Sequence, residues 1–175
     1  MNVQHRLGDI FYVIHACPDR IDFVNSYLVP SLKAQGVENI IVYNDTKKLG
    51  NLQGYIDCAN SLNIANDDAQ IIHLQDDVIP DRRLKEYIEK DYNSDIVCGF
   101  NSATDNIAHS GRQKAEYMFW SFQCIRFSHK ILKDFIKWIE ESGRYYFEPW
   151  YNLNKYDDSF FREYIKTQNY ITYNI

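Results

Sequence analysis

Runs of β-branched and aromatic residues, each of strand length, alternate with segments whose apolar residues recur at helical spacing. The predicted strands are 10–14, 38–43, 70–74 and 94–100, and the predicted helices between them are 21–35, 51–62 and 81–90. Gly36 is expected to end the first helix, and Pro30 inside that helix predicts a kink. This alternation predicts an α/β fold whose sheet is mainly parallel, with right-handed crossovers and helices on both faces.

The pattern changes after residue 100. A polar loop is predicted at 101–111, an aromatic strand at 117–127 and an amphipathic helix at 128–141 with Ser128 as its N-cap. A helix at 158–167 and a closing strand at 170–173 follow. Because neither a linker nor a repeat interrupts the chain, residues 1–175 are predicted to form a single domain with a mixed C-terminal part.

Two adjacent carboxylates, Asp76 and Asp77, follow the strand 70–74, and Pro80 prevents that strand from continuing. The acids are therefore expected at the carboxyl end of a strand, which is the edge where open α/β sheets bind ligands. A divalent cation bound to a phosphate ligand would relieve their mutual repulsion, since Mg²⁺ and Mn²⁺ take hard oxygen ligands. The alternative is that both acids only cap the helix predicted at 81–90.

Composition narrows the classes of partner and compartment. The 15% aromatic share, with 14 Tyr, is high and suits stacking surfaces for a sugar or a base as well as core packing. The net charge of −5 gives no general attraction to nucleic acid or to an anionic membrane. Four widely spaced cysteines without a CxxC pair, and no apolar run long enough to span a bilayer, predict a cytoplasmic protein with buried free thiols.

Four motifs together resemble a GT-A type nucleotide-sugar glycosyltransferase, over nearly the whole chain. The first strand has a polar exit, the second ends in two polar residues, a DxD-like motif written Gln-Asp-Asp follows the third, and an acidic pair opens a late helix. In order, the motif residues are His15, Ala16, Cys17, Arg20, Asn44, Asp45, Gln75, Asp76, Asp77, Asp157 and Asp158.

The resemblance implies a single Rossmann-like GT-A domain, with a nucleotide-sugar half at about 1–100 and an acceptor and catalytic-base half at about 101–175. It implies a UDP-sugar donor and Mn²⁺ or Mg²⁺, with Asp77 as the direct metal ligand and Asp76 contacting the ribose or a metal-bound water. Asp157 or Asp158 would be the base of an inverting enzyme, with capping of the late helix as the alternative. The candidate walls of the sugar site are Tyr117, Phe119, Trp120, Trp150 and Tyr151.

The acceptor and the enzyme class remain open. A saccharide or cell-surface glycan is the first expectation. DNA carrying hydroxymethylated pyrimidines is the second, because residues 107–137 hold six Arg or Lys against two acids. Acid pairs at a strand end also serve metal-dependent phosphohydrolases, and a catalytically inactive nucleotide-binding module would retain the same motifs. The resemblance also implies a late histidine as a further metal ligand in some members; no histidine follows His129 here, and His109 in the polar loop is the candidate that could reach the site.

Overall fold

The computed structural model describes residues 10–49, 51–90, 95–99, 111–114, 123–143 and 157–174. Within these ranges the chain forms an α/β fold around one mixed sheet of seven strands, in the order β2-β1-β3-β6-β4-β7-β5. The strands are β1 (Ile10–Ala16), β2 (Ile40–Asn44), β3 (Gln70–Gln75), β4 (Ile96–Cys98), β5 (Gly111–Lys114), β6 (Cys124–Ser128) and β7 (Ile171–Asn174).

The sheet is mixed, so the prediction of a mainly parallel sheet is correct only in part. Strand β1 pairs in parallel with β2 and β3, and β4 pairs in parallel with β7. Strand β6 lies between β3 and β4 and is antiparallel to both, and β5 is antiparallel to β7 at the edge. The hydrophobic pattern does not distinguish the two directions, because a strand covered on both faces is apolar in either direction.

The α-helices described are α1, which consists of Ile21–Phe23, Val24–Leu28 and Val29–Ala34, then α2 (Asn51–Ser61), α3 (Leu84–Ile88), α4 (His129–Trp138) and α5 (Asp157–Gln168). A 3₁₀-helix, Pro18–Arg20, precedes α1, and a π-helix, Ile139–Gly143, follows α4. No helix in these ranges combines the length and the apolar character that crossing a membrane requires. The middle segment of α1 is a π-helix in which the Val29 N–H donates to the Val24 carbonyl. Pro30 is therefore accommodated by a wider turn just before it. Helix α1 ends at Ala34, and Gly36, whose φ is 78°, follows in the turn that terminates it.

Each face of the sheet carries its own hydrophobic core, as the prediction of helices on both faces requires. Alternate residues of β1 point to opposite faces, so Val13 packs with α2, α4 and α5, whereas Tyr12 and Ile14 pack with α1 and α3. Ser128 caps α4 by accepting a hydrogen bond from the Ile131 N–H at 3.2 Å, which confirms that prediction. Helix α3 is shorter than predicted, and residues 117–122 of the predicted aromatic strand lie outside the described part.

Arg126 joins the antiparallel strand β6 to the segment after α3. The residue is only 8% exposed. Its Nη1 donates to the carbonyls of Ile88 and Lys90, both at 2.8 Å. These carbonyls lie at and just beyond the C-terminal end of α3, where backbone acceptors lack partners within the helix.

We expect Arg126→Met to lower the free energy of unfolding by about 3 kcal/mol, because two charge-assisted hydrogen bonds are lost and two carbonyls lose a donor. Urea unfolding followed by circular dichroism measures this change. Arg83→Met is the control, since Arg83 pairs with Glu86 on the surface and its loss should leave the unfolding midpoint nearly unchanged. Equal midpoints for wild type and Arg126→Met would contradict the assigned role.

Candidate functional site

The carboxyl ends of three parallel strands meet at one edge of the sheet. In the register, Ala16 of β1 lies opposite Asn44 of β2, and His15 lies opposite Gln75 of β3. The residues that follow these strand ends surround a cleft with a volume of about 570 Å³. Its lining consists of His15, Cys17, Pro18, Asp19, Arg20, Asp45, Lys48, Gln75, Asp76 and Asp77.

Asp76 is the most firmly held acid of this cleft. It is 6% exposed, its Oδ2 accepts from the Cys17 backbone N–H at 2.7 Å, and its Oδ1 accepts from Arg20 Nη1 at 2.8 Å. Burial by itself raises the pKa of the Asp76 carboxyl, but the hydrogen bonds from Cys17 and Arg20 outweigh burial and lower this pKa. Asp76 is therefore an anion that the protein fixes at the end of β3.

Asp77 points into the same cleft but is more accessible, with a side chain that is 48% exposed. Its Oδ2 lies 3.1 Å from Arg20 Nη1, so a single guanidinium nitrogen contacts both carboxylates. Neither acid caps the next helix, because α3 begins only at Leu84. The backbone N–H of Arg83, just before α3, donates to Asp81 Oδ1 at 2.8 Å and to neither member of the pair. The capping alternative for Asp76 and Asp77 is thus wrong.

His15 and Asp45 form the second wall of the cleft, against helix α2. Asp45 is 5% exposed and its Oδ2 accepts from the Leu49 N–H at 2.9 Å, while its Oδ1 is buried without a partner in the described part of the chain. Burial lowers the pKa of His15, although Asp45 and Asp76 oppose this shift. A neutral imidazole and an unsatisfied carboxylate oxygen at the cleft suit a ligand that offers hydrogen-bond donors.

Gly54 makes this wall possible. A Cβ at this position of α2 would lie 2.7 Å from His15 Nε2 and 2.8 Å from Asp45 Oδ2. A glycine in a helix interior normally lowers helix stability, so Gly54 within the predicted helix 51–62 was a signal in the sequence for this close approach. Three further residues line the cleft without having been predicted there: Pro18, Asp19 and Lys48. Lys48 has a φ of 52°, and its Nζ lies 3.3 Å from Asp19 Oδ1.

The structure brings six of the eight predicted nucleotide-sugar residues to the cleft: His15, Cys17, Arg20, Asp45, Gln75 and Asp76. The side chain of Ala16 instead lies in the core, and only its carbonyl is near the site, where it accepts from the Asp45 N–H. Asn44 ends β2 beside Asp45, with a buried Oδ1 that has no partner among the described residues. His73 of β3 is a buried core residue and packs edge-on against Tyr55.

For the remaining predicted site residues, the structure describes either the backbone alone or nothing. Asp157 and Asp158 are the first two residues of α5, which confirms a helix that starts at this acidic motif, but their side chains lie outside the described part. The candidate walls and the candidate third ligand also lie outside it: Tyr117, Phe119, Trp120, Trp150, Tyr151 and His109. Cys17 departs from the prediction of buried thiols, since it is partly exposed in the cleft, whereas Cys58 and Cys124 are buried.

The acid pair offers carboxylate oxygens, the type of ligand that Mg²⁺ and Mn²⁺ prefer. Among the described residues, no group of three His, Cys, Asp or Glu side chains is arranged to hold a metal ion. Mg²⁺, however, is commonly bound by one or two carboxylates together with substrate phosphates and water. The convergence of both carboxylates on one nitrogen of Arg20 shows that their oxygens favour a cation at a common point. The residues present therefore fit such an ion.

Comparison with models of known protein families and with curated proteins found no match for this chain. The resemblance to GT-A glycosyltransferases consequently rests on the sequence motifs alone.

We expect Gly54→Ala to lower the free energy of unfolding by about 1–3 kcal/mol, because the new Cβ must displace His15 or Asp45. At an unconstrained helix position the same change would raise stability by about 0.5–1 kcal/mol. Asn60→Ala, at an exposed position of α2, is the control and should be neutral or slightly stabilising. Urea unfolding gives both values, and a stabilised Gly54→Ala variant would contradict the close approach.

The lowered pKa of Asp76 predicts a pH dependence of stability. Because the folded pKa lies below that of the unfolded chain, ionised Asp76 stabilises the fold above the unfolded pKa, and this contribution disappears as pH falls through the folded pKa. Asp76→Asn should therefore cost about 1–2 kcal/mol near pH 7 and progressively less towards about pH 3. Urea unfolding of both proteins across this range tests it, and a pH-independent difference would refute the assignment.

Proposed function

We propose that this protein is a metal-dependent glycosyltransferase that moves a sugar from a nucleoside-diphosphate donor to an acceptor hydroxyl. One observation carries the proposal: at the shared carboxyl edge of three parallel strands, buried Asp76 and accessible Asp77 converge on one cation inside a cleft. Ligands of open α/β sheets bind at this edge, and a carboxylate pair there suits a cation that neutralises a diphosphate.

The cleft offers distinct groups for the parts of such a donor. The described cations that line it are Arg20, which is paired with the two acids, and Lys48, which is paired with Asp19. Both side chains are at least half exposed, so phosphate oxygens in the cleft can approach them. Asp45 Oδ1, which is buried and has no partner among the described residues, is available to a donor group of the nucleoside. A bound divalent ion would stabilise negative charge on the departing diphosphate. Asp77 is its proposed direct ligand, with Asp76 held behind it by Cys17.

The proposed catalytic base is Asp157 or Asp158. Both stand at the N-terminal end of α5, where the helix dipole favours an ionised carboxylate. Such a carboxylate accepts the proton of the acceptor hydroxyl as that oxygen attacks the anomeric carbon and the bond to the diphosphate breaks. Helix α5 has twelve residues, which span about 18 Å, and it ends just before β7. The two aspartates at its first turn are therefore separated from the start of β7 by about the length of the helix.

A saccharide acceptor is favoured over DNA. Of the six basic residues that suggested a DNA surface, Arg126 is buried and holds two carbonyls, and Lys130 pairs with Asp134. Lys133 lies 2.7 Å from Asp67, and Lys137 lies 3.8 Å from Glu141. These four residues of the described part are thus neutralised or engaged within the protein, which weakens their attraction for phosphates.

The rival classes, a metal-dependent phosphohydrolase and an inactive nucleotide-binding module, differ in what they do with a bound donor. A phosphohydrolase releases phosphate from nucleotide sugars without an acceptor and transfers no sugar to any acceptor. An inactive module binds the nucleotide with the same metal dependence but shows no turnover at all.

We expect nucleotide sugars, UDP-sugars first, to raise the melting temperature of the protein only when Mn²⁺ is present, because a ligand that binds the folded form alone stabilises it. Asp77→Ala should abolish both this Mn²⁺-dependent shift and sugar transfer, since it removes the accessible carboxylate of the pair. A thermal-shift panel of nucleotide sugars with and without Mn²⁺, followed by a transfer assay with saccharide acceptors, measures both effects.

Asp68→Ala is the matched control, because Asp68 is an exposed aspartate just before the opposite end of the same strand, β3. It should leave the shift and the transfer intact. Asp158→Asn should lose turnover but keep the nucleotide-induced shift, since its proposed role is in proton transfer. An Asp77→Ala variant that binds nucleotide with the wild-type Mn²⁺ dependence would overturn the metal assignment.

A further inference from the structure

The position between Asp76 and Asp77 that suits a divalent cation is occupied by the guanidinium of Arg20. Arg20 Nη1 lies 2.8 Å from Asp76 Oδ1 and 3.1 Å from Asp77 Oδ2, so one nitrogen neutralises both acids of the pair. A guanidinium and a divalent ion cannot occupy this point together, because they would overlap and repel each other. Any cation that binds both oxygens must therefore displace Arg20.

The three side chains differ in how firmly they are held. Asp76 is buried and keeps the Cys17 N–H as a donor whether or not Arg20 is present. Asp77 and Arg20 have side chains that are 48% and 50% exposed. Within the described residues, Arg20 has no side-chain ion pair besides these two acids. The anchored acid is thus Asp76, and the guanidinium is the group free to leave.

We propose that Arg20 is a resident cation that holds the Asp76–Asp77 pair closed to divalent metal in the nucleotide-free protein and is transferred to the diphosphate when the donor binds. The transfer of Arg20 to a diphosphate rests on the proposed function, whereas the competition between Arg20 and a divalent ion does not. Arginine suits the exchange, because its planar guanidinium binds carboxylate and phosphate oxygens with the same paired donors.

The exchange makes metal and donor binding depend on each other. While Arg20 is paired with Asp76 and Asp77, it competes with the metal ion for their oxygens. In that state the guanidinium is also not available to the diphosphate. Once the diphosphate takes the guanidinium, both carboxylates are released to the metal ion. Each ligand then raises the affinity of the other by the same factor, as linkage requires. Such a site resists divalent metal until the donor arrives.

The deciding measurement is the Mn²⁺ affinity of the nucleotide-free protein, by calorimetric titration or by the electron paramagnetic resonance signal of free Mn²⁺. Arg20→Ala should bind Mn²⁺ about threefold to tenfold more tightly than wild type, since a competing ion pair is removed. Arg20→Lys, which keeps a positive charge but loses the planar fork, should fall between the two. Thermal unfolding confirms that each variant is folded.

Two further variants locate the effect. Arg83→Ala is the matched control, because Arg83 also pairs with a carboxylate but does not line the cleft. This variant should bind Mn²⁺ with the affinity of the wild-type protein. The double variant Arg20→Ala/Asp77→Ala should lose the gain, which shows that the added affinity arises at the acid pair. With saturating Mn²⁺, Arg20→Ala should bind UDP about tenfold more weakly than wild type, because the diphosphate loses a charged donor.

Failure of this inference is distinguishable from failure of the proposed function. A folded Arg20→Ala variant whose Mn²⁺ affinity equals or falls below that of wild type overturns the resident-cation role, even if the wild-type protein transfers sugar. The absence of Mn²⁺ binding by both proteins overturns it as well. Conversely, a gain in Mn²⁺ affinity without binding of any nucleotide sugar supports the role of Arg20 at the pair and refutes the proposed donor.

Discussion

The hydrogen bond from the Cys17 backbone N–H to the carboxylate of Asp76 joins the ends of the neighbouring parallel strands β1 and β3. A buried anion is unfavourable unless donors surround it, and here the donors come from the turn after β1 and from Arg20, which follows that turn. This contact fixes the turn after β1 against the end of β3, directly beyond the last backbone pair of the two strands, His15 with Gln75. Asp77 is then held at the cleft opening beside a fixed negative charge.

The same constraint explains the opposite wall. The Asp45 N–H donates to the Ala16 carbonyl at 2.8 Å, so the exit of β2 is joined to β1 just as the exit of β3 is. Helix α2 approaches this junction so closely that only a glycine fits at position 54. The cleft is thus built from backbone contacts among three strand exits and one helix, with the side chains of His15, Asp45 and Asp76 turned into it. That arrangement keeps buried polar groups at a place where a ligand can satisfy them.

Much of the fold could be predicted from the spacing of hydrophobic residues and from residues that mark the starts of helices. The apolar runs gave β1, β2 and β3 nearly to the residue, Ser128 gave the start of α4, and the acidic motif gave the start of α5. The direction of β6 could not be predicted, because residues buried on both faces show no preference for parallel or antiparallel neighbours. Pro30 predicted a disturbance in α1 but not its form, which depends on how the neighbouring turn widens.

For the candidate site, the sequence alone determined which chemical groups stand at the strand ends, because an apolar run of strand length that is followed by carboxylates and a proline has few other interpretations. Only the tertiary structure decided how those groups pair. The contact of Arg20 with both acids joins residues more than fifty positions apart in the chain. The need for glycine beside His15 depends in the same way on how closely α2 packs against the sheet. Such contacts depend on the register between strands and on helix packing, and local sequence pattern carries neither.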